Sequence, residues 1–407
     1  MSTNVTRRNF VKLAGAAAAT SALAACGGSD GATDAGSAAA ADGAAFTFGH
    51  IGPLTGDIAI YGKATEIGAQ VAINEVNEAG TTAATLLSAD DQGDGEISVN
   101  AYHDLLDQGM QILVGCTTTG ACVAVSSETN VDRVFQLTPS ASSADVVGDD
   151  TGVASSEPRK DNVFQMCFTD PAQGEFASNL MKEHGLGTKI GVIYRSDDAY
   201  STGILATFKA TCEANGQEIV AEEAFTGDNA TDFNAQLNSC KDAGADLVFL
   251  PIYYTPASLI LAQADSMGYA PTFFGVDGMD GILDLEGFDA ALAEDVMFLT
   301  PFTAFATDDA TVDFVAKYEE LSDGTAPNQF AADAYDCVKA IVQAIEANGI
   351  TPDMSTEEIC DALIAAFTAE DFSYSGLTGT DMTWDETGMV TKDPQLFVIK
   401  GGAYEAM

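Results

Sequence analysis

The stretch FTFGHIGPLTGDIAIYGKATEIGAQVAINEVNE, residues 46–78, holds one complete unit of the fold. Residues 46–51 are rich in aromatic and β-branched types and read as a strand; Gly52-Pro53-Leu54-Thr55-Gly56 breaks it. Residues 63–78 follow with Ile67, Val71 and the Ile73/Val76 pair on one stripe, the spacing of a helix that buries a face. Working outward, the same alternation recurs. Further strands are expected at 85–89, 112–116 and 134–137, and a second set at 189–194, 218–225, 247–252, 272–276 and 296–300. Short apolar runs separated by helical stretches are the pattern of parallel sheets covered on both faces. The first four strands form one doubly wound lobe and the later five another, joined near Phe168-Thr169-Asp170-Pro171 and again near Thr300-Pro301-Phe302. Helical segments at 309–321, 329–348 and 355–367 are expected to return to the first lobe.

Composition bounds the partners. With 61 Asp+Glu against 16 Lys+Arg and a net charge of −45, the 407-residue chain offers no clustered cations for phosphate backbones, which excludes nucleic acid. No apolar run approaches the roughly 18 to 20 residues that cross a bilayer. The start of the chain explains how it reaches a membrane all the same. Thr6-Arg7-Arg8-Asn9-Phe10-Val11-Lys12 and then Leu23-Ala24-Ala25-Cys26 read as a twin-arginine export signal ending in a lipobox. Cleavage before Cys26 and acylation of its sulfur would anchor the protein to the outer face of the cell membrane, two chains sufficing where one is marginal. Residues 27–45, almost wholly Gly, Ala, Ser, Thr and Asp, form the tether. Outside the cytoplasm the remaining cysteines can pair. Cys116/Cys122, Cys212/Cys240 and Cys337/Cys360 are the candidate pairs, with Cys167 left over.

In open parallel sheets, ligands sit beyond the carboxyl ends of the strands. The residues at those ends divide by chemistry. The first lobe supplies Tyr61, Thr117-Thr118-Thr119-Gly120 and Thr138-Pro139-Ser140-Ala141-Ser142; the second supplies Tyr200, Tyr253-Tyr254 and Asp277-Gly278. Hydroxyls and helix starts hold a carboxylate without Lys or Arg, a single Asp accepts an ammonium, and Tyr rings cover an apolar side chain. The complement is a zwitterion. Taken singly, each has a plainer use, since Ser and Thr after strands cap helices and Asp before Gly closes a turn. No hydrolase elbow, zinc-protease helix, phosphate loop or dinucleotide fingerprint is present. The chain is therefore expected to be a binder without cofactor or metal, not an enzyme. Of the three histidines, His50 near a strand end is the one of interest, whereas His103 and His184 are read as surface helix residues. The run Asp90-Asp91-Gln92-Gly93-Asp94-Gly95-Glu96 lacks calcium-loop spacing and is read as a solvated loop.

Gly52-Pro53-Leu54-Thr55-Gly56 with Tyr61-Gly62, Thr138-Pro139-Ser140-Ala141-Ser142, and Leu377-Thr378-Gly379 through Trp384-Asp385-Glu386-Thr387-Gly388 together resemble the branched-chain amino-acid binding proteins of ABC transporters over nearly all of residues 46–400. The resemblance implies the type I periplasmic-binding fold, two lobes joined by three hinge crossovers, with 46–169 plus 302–392 in one lobe and 170–301 plus 393–407 in the other. Residues 1–25 are then the signal peptide and 26–45 the anchor and linker. It further implies that Thr119, Ser140 and Ser142 hold the α-carboxylate and α-amino groups. Tyr200, Tyr253 and Asp277 would close from the second lobe, and Tyr61 and Phe330 would line the side-chain pocket. The acidic position, often Glu in that family, is Asp277 here, one methylene shorter. The partners implied are a small amino acid, most simply aliphatic, and an ABC permease, with the protein acting as a monomer. The same family includes receptors for amides, urea-like compounds and aromatic acids, and an exported sensor on this scaffold is a further alternative.

Overall fold

The computed structural model describes residues 44–150 and 155–407; the twin-arginine segment and Cys26 lie outside them. Twelve strands and eleven α-helices alternate through two sheets. The first sheet holds β1 (Phe46–Gly52), β2 (Ala84–Asp90), β3 (Ile112–Gly115), β4 (Phe135–Thr138) and β5 (Val163–Gln165), all parallel, in the order β2-β1-β3-β4-β5. The second holds β6 (Lys189–Arg195), β7 (Glu218–Phe225), β8 (Leu247–Leu250), β9 (Thr272–Gly275), β10 (Met297–Thr300), β11 (Gln395–Lys400) and β12 (Ala403–Ala406), ordered β12-β11-β10-β9-β8-β6-β7. Its last two strands are antiparallel, an edge hairpin added to a parallel sheet. The expected strands are present within a residue or two of their expected ends; β5, β11 and β12 were not expected.

The helices are α1 (Ala59–Ala79), α2 (Gly95–Asp107), α3 (Thr119–Asp132), α4 (Ala144–Val147), α5 (Asp170–Glu183), α6 (Ala199–Asn215), α7 (Asn234–Asp242), α8 (Tyr254–Ser266), α9 (Asp309–Leu321), α10 (Gln329–Asn348) and α11 (Thr356–Phe367). Among the described residues none is long and apolar enough to cross a membrane. Strand alternation sorts the core into layers, because successive side chains leave opposite faces of a sheet. In the second sheet Leu247, Phe249, Met297 and Leu299 pack with α5 and α6. Their neighbours Val248, Leu250 and Phe298 pack with α7 and α8 on the other face. In the first sheet Phe46, Phe48, Ile112 and Val114 meet α1, α10 and α11, whereas Ile51, Leu113 and Cys116 meet α2 and α3. The helices α10 and α11 thus cover the first sheet, while Phe314 and Tyr318 of α9 join the core that contains the second.

This layering decides the cysteines. All seven in the described residues are buried free thiols, and none of the expected disulfides is formed. Cys212 and Cys240 lie in cores on opposite faces of the second sheet, so the sheet itself separates them. Cys337 and Cys360 share one core, and Cys116 and Cys122 another, each staying a thiol within its packing.

The chain passes between sheets after β5, after β10, and once more ahead of β11. Lys392, on the last of these passages, is fully buried. Its Nζ is ion-paired with Asp333 of α10, donates to Thr378 Oγ1 at 2.6 Å, and reaches the carbonyl of Met166, on the first passage, at 3.1 Å.

Candidate functional site

The carboxyl ends of β3, β4, β8 and β9 face one another across a cleft enclosing about 270 Å³, including its open mouth. Tyr61, Thr119, Ser140, Tyr200, Tyr253, Asp277 and Phe330 all line it. Ser142 does not. Its hydroxyl turns away and donates to Asp170 Oδ1 at 2.6 Å, a layer behind the cavity. Thr117 and Thr118 line the cleft alongside Thr119.

The first-lobe wall is built from backbone and hydroxyls. Thr118 is the N-cap of α3, yet its side chain makes no capping bond, so the opening N–H groups of a 14-residue helix are left without a side-chain acceptor. Thr118 Oγ1 is buried and has no partner among the described residues. Ser140 Oγ donates to the carbonyl of Thr117 at 2.5 Å, so what it turns to the cleft is an acceptor. Behind this wall His50 is fully buried between Ser88 Oγ at 3.0 Å and Thr65 Oγ1 at 2.8 Å, and Thr65 Oγ1 in turn meets Thr117 Oγ1 at 2.9 Å. Burial pushes the His50 pKa down to about 3, so the ring is neutral and acts as a brace.

The second-lobe wall is aromatic and acidic. Tyr200 and Tyr253 stack with centroids 4.8 Å apart and 5° between planes. The Tyr200 hydroxyl donates to Asp277 Oδ1 at 2.5 Å and accepts the N–H of Gly278 at 2.9 Å. Gly278 permits that approach: a Cβ there would stand 2.6 Å from the Tyr200 hydroxyl oxygen. Gln173 Oε1 accepts the N–H of Asp277 at 3.1 Å, while its Nε2 is buried without a partner. Burial pushes the Asp277 carboxyl up to about 6, against the opposing hydrogen bond from Tyr200. Burial likewise raises Asp170 well above the usual carboxylate range despite Ser142, and Asp277 adds to the rise. No Lys, Arg or His lines the cleft.

Tyr61 joins the walls. From α1 its hydroxyl donates to the Gly278 carbonyl at 2.5 Å and accepts the N–H of Tyr254 at 3.2 Å. Its ring meets Phe330 and Tyr254 edge-on, each at 4.8 Å. Burial raises the Tyr61, Tyr200 and Tyr253 hydroxyls, keeping all three protonated as donors.

Thr118, Asp170 and Gln173 were not singled out from sequence as site residues. Thr118 stands inside the quoted run and Asp170 inside the connection at 168–171, while Gln173 carries no signal of its own in the sequence. The acidic run after β2 needs correction in one respect. Asp91 is fully buried and accepts from Gly93 N at 2.8 Å and Ser98 Oγ at 3.2 Å, whereas Gln92, Asp94 and Glu96 are exposed as a solvated loop requires. Asp94 caps α2. Among the described residues no group of three or more His, Cys, Asp or Glu is placed to hold a metal ion.

Leu/Ile/Val-binding protein homolog 3 of Brucella melitensis biotype 1 is 29% identical over 324 residues, covering 78% of this chain and 82% of that protein. The isoleucine complex of LivJ from Streptococcus pneumoniae, a branched-chain amino acid transporter substrate binding protein, matches with a TM-score of 0.76 at 26% identity, covering 89% of this chain and 98% of that one. A benzoate complex of an ABC-transporter solute binding protein from R. palustris shares the fold, with a TM-score of 0.76 at 17% identity over 89% of this chain and 96% of that one. The model of the periplasmic binding protein family matches residues 45–403, and with it the two α/β lobes and their shared cleft find their place: the chain belongs to the periplasmic binding protein family.

Proposed function

We propose that the protein is a lipid-anchored, monomeric receptor that captures a small aliphatic α-amino acid between its lobes and delivers it to an ABC permease. Solute binding without catalysis, outside the cytoplasm, is the work of its family. The finer reading rests on one observation: an uncapped helix start with unpartnered hydroxyl Thr118 faces a lone buried carboxylate, Asp277, across a cleft with no cation. The ligand must bring its own positive charge to Asp277 and its negative charge to the start of α3. Ser140, as an acceptor, favours the ammonium, and Thr119 the carboxylate. Tyr61, Tyr253 and Phe330 would enclose an apolar side chain, and Ser142 would steady the wall through Asp170. Charge-assisted hydrogen bonds contribute about 1.5 to 3 kcal/mol each, so a few reach the roughly 8 kcal/mol of a micromolar complex.

Lobe boundaries at 46–169 plus 302–392 and 170–301 plus 393–407 go with this reading, with 1–25 removed on export and Cys26 acylated. Calorimetry on the purified chain tests the ligand class. Isoleucine, leucine, valine or alanine should bind at micromolar affinity and benzoate should not. Binding of benzoate, with none of the amino acids, would replace the zwitterion by an aromatic acid. Cys26→Ser should release the protein from membranes.

A further inference from the structure

A second, partly open cavity of about 470 Å³, including its mouth, lies outside the cleft and shares no lining residue with it. Its walls come from the segment after β9, the passage after β10, the lead into α10, and the β11–β12 hairpin. We propose that this cavity, framed by Asp280, Asp284, Phe302, Phe305 and Tyr404, is a binding site for an organic monocation, an ammonium group carried on a short apolar body.

Asp280 is 1% exposed. Its Oδ2 accepts the N–H of Gln329 at 2.8 Å, while Oδ1 is buried with no partner among the described residues. Asp284 stands at the mouth as a second carboxylate, and no Lys, Arg or His lines the cavity. A buried acceptor with an open lone pair and no local cation is a position that a bound positive charge would satisfy. Burial, with Asp284 adding to it, pushes the Asp280 carboxyl up to about 7 against hydrogen bonds from the Gln329 N–H and the Tyr404 hydroxyl. Most of the remaining wall is apolar, with Thr303, Asn328 and Tyr404 as its polar members. Phe302 is buried, and Phe305, 58% exposed, is among the few large hydrophobic side chains left open on the surface. Aromatic rings beside carboxylates suit an organic ammonium, whereas a hard metal ion needs six or more oxygen ligands that two carboxylates and phenyl rings do not provide. The site stands on none of the cleft's residues. It is nevertheless close to the cleft in hydrogen bonds, because Gln329, bonded through its N–H to Asp280, donates from Nε2 to the Asp277 carbonyl at 3.1 Å.

The test is calorimetric titration of n-butylammonium chloride into the full chain and into Asp284→Asn, Asp280→Asn and Asp277→Asn. Saturable binding to the unmodified chain is expected, at least fivefold weaker in Asp284→Asn, lost in Asp280→Asn, and within twofold unchanged in Asp277→Asn. n-Butanol should give no binding, and sodium chloride at equal concentration no competition. Absence of n-butylammonium binding, equal binding in Asp284→Asn, loss in Asp277→Asn (which would place the cation in the cleft), or equal competition by sodium (which would make this an inorganic ion site) each overturns the proposal. Asp284 sits at the surface, so its variant keeps the test decisive even if Asp280→Asn fails to fold.

Discussion

The two walls of the cleft reach the same ends of similar sheets with opposite means. On the first-lobe side the groups are neutral: helix N–H groups, Thr118 and Thr119, with a buried neutral His50 bracing them from behind. On the second-lobe side the charged group is one carboxylate, held by a tyrosine hydroxyl and beside a stacked pair of rings. A neutral wall keeps its donors at any ordinary pH and is cheap to leave empty. An ionisable wall is costly to bury and answers to pH. Affinity should therefore be governed by the second lobe, and orientation by the first.

The largest expected effect follows from removing the charge. Asp277→Ala should cost about 3 to 5 kcal/mol of amino-acid binding, since the ligand ammonium would be buried unpaired. Unchanged affinity by calorimetry would take Asp277 out of the site. Next comes pH. With the empty-state carboxyl at about 6, protonation must be undone before an ammonium is accepted. Affinity should be flat above pH 6 and fall as pH drops through it, by up to about tenfold per unit. Asp170, Asp198 and Asp333 are the other carboxyls acting on this region, with Tyr61, Tyr200 and Tyr253 protonated throughout. An Asp277→Asn curve that retains the slope would assign it to one of them.

Tyr61→Phe is a smaller perturbation. It removes the hydroxyl that links Gly278 and Tyr254 to α1, and should weaken ligand binding by about 1 to 3 kcal/mol while leaving the separate lobes intact. Smallest is Thr118→Val. Its hydroxyl has no partner among the described residues, so the melting temperature should hold while ligand affinity drops by about 1 kcal/mol. A loss of thermal stability without loss of affinity would make Thr118 structural.

Much of this was readable because parallel strands buried on both faces leave dense apolar runs, and because ligands collect at strand ends whatever the loops contain. The misses have particular causes. β5 is only Val163–Gln165, too short for periodicity to register. The β11–β12 hairpin carries a turn signal in Gly401-Gly402, both at positive φ, but Leu396-Phe397-Val398-Ile399 before it is a continuous apolar run without strand alternation. Ser142 illustrates a different limit. Its type and position fitted a ligand contact, yet 28 residues downstream lies Asp170, whose buried carboxylate claims the hydroxyl. Pairings such as Tyr200 with Asp277, 77 residues apart, exist only once the sheets have assembled. Of the thiol pairs, Cys212 and Cys240 fail for the same reason, since sequence proximity of helices says nothing of which side of a sheet each covers.

Lys392 carries a mechanical consequence. Its ammonium clasps the carbonyl of Met166 on the first passage while itself belonging to the last, and Asp333 of α10 closes the group. Two of the three threads connecting the halves are thus knotted at one point out of reach of solvent. Sliding one half along the other would tear a desolvated charge from its partners, whereas swinging about that knot leaves every bond in place. The jaws of the molecule are expected to open as a door does, with its pin at Lys392.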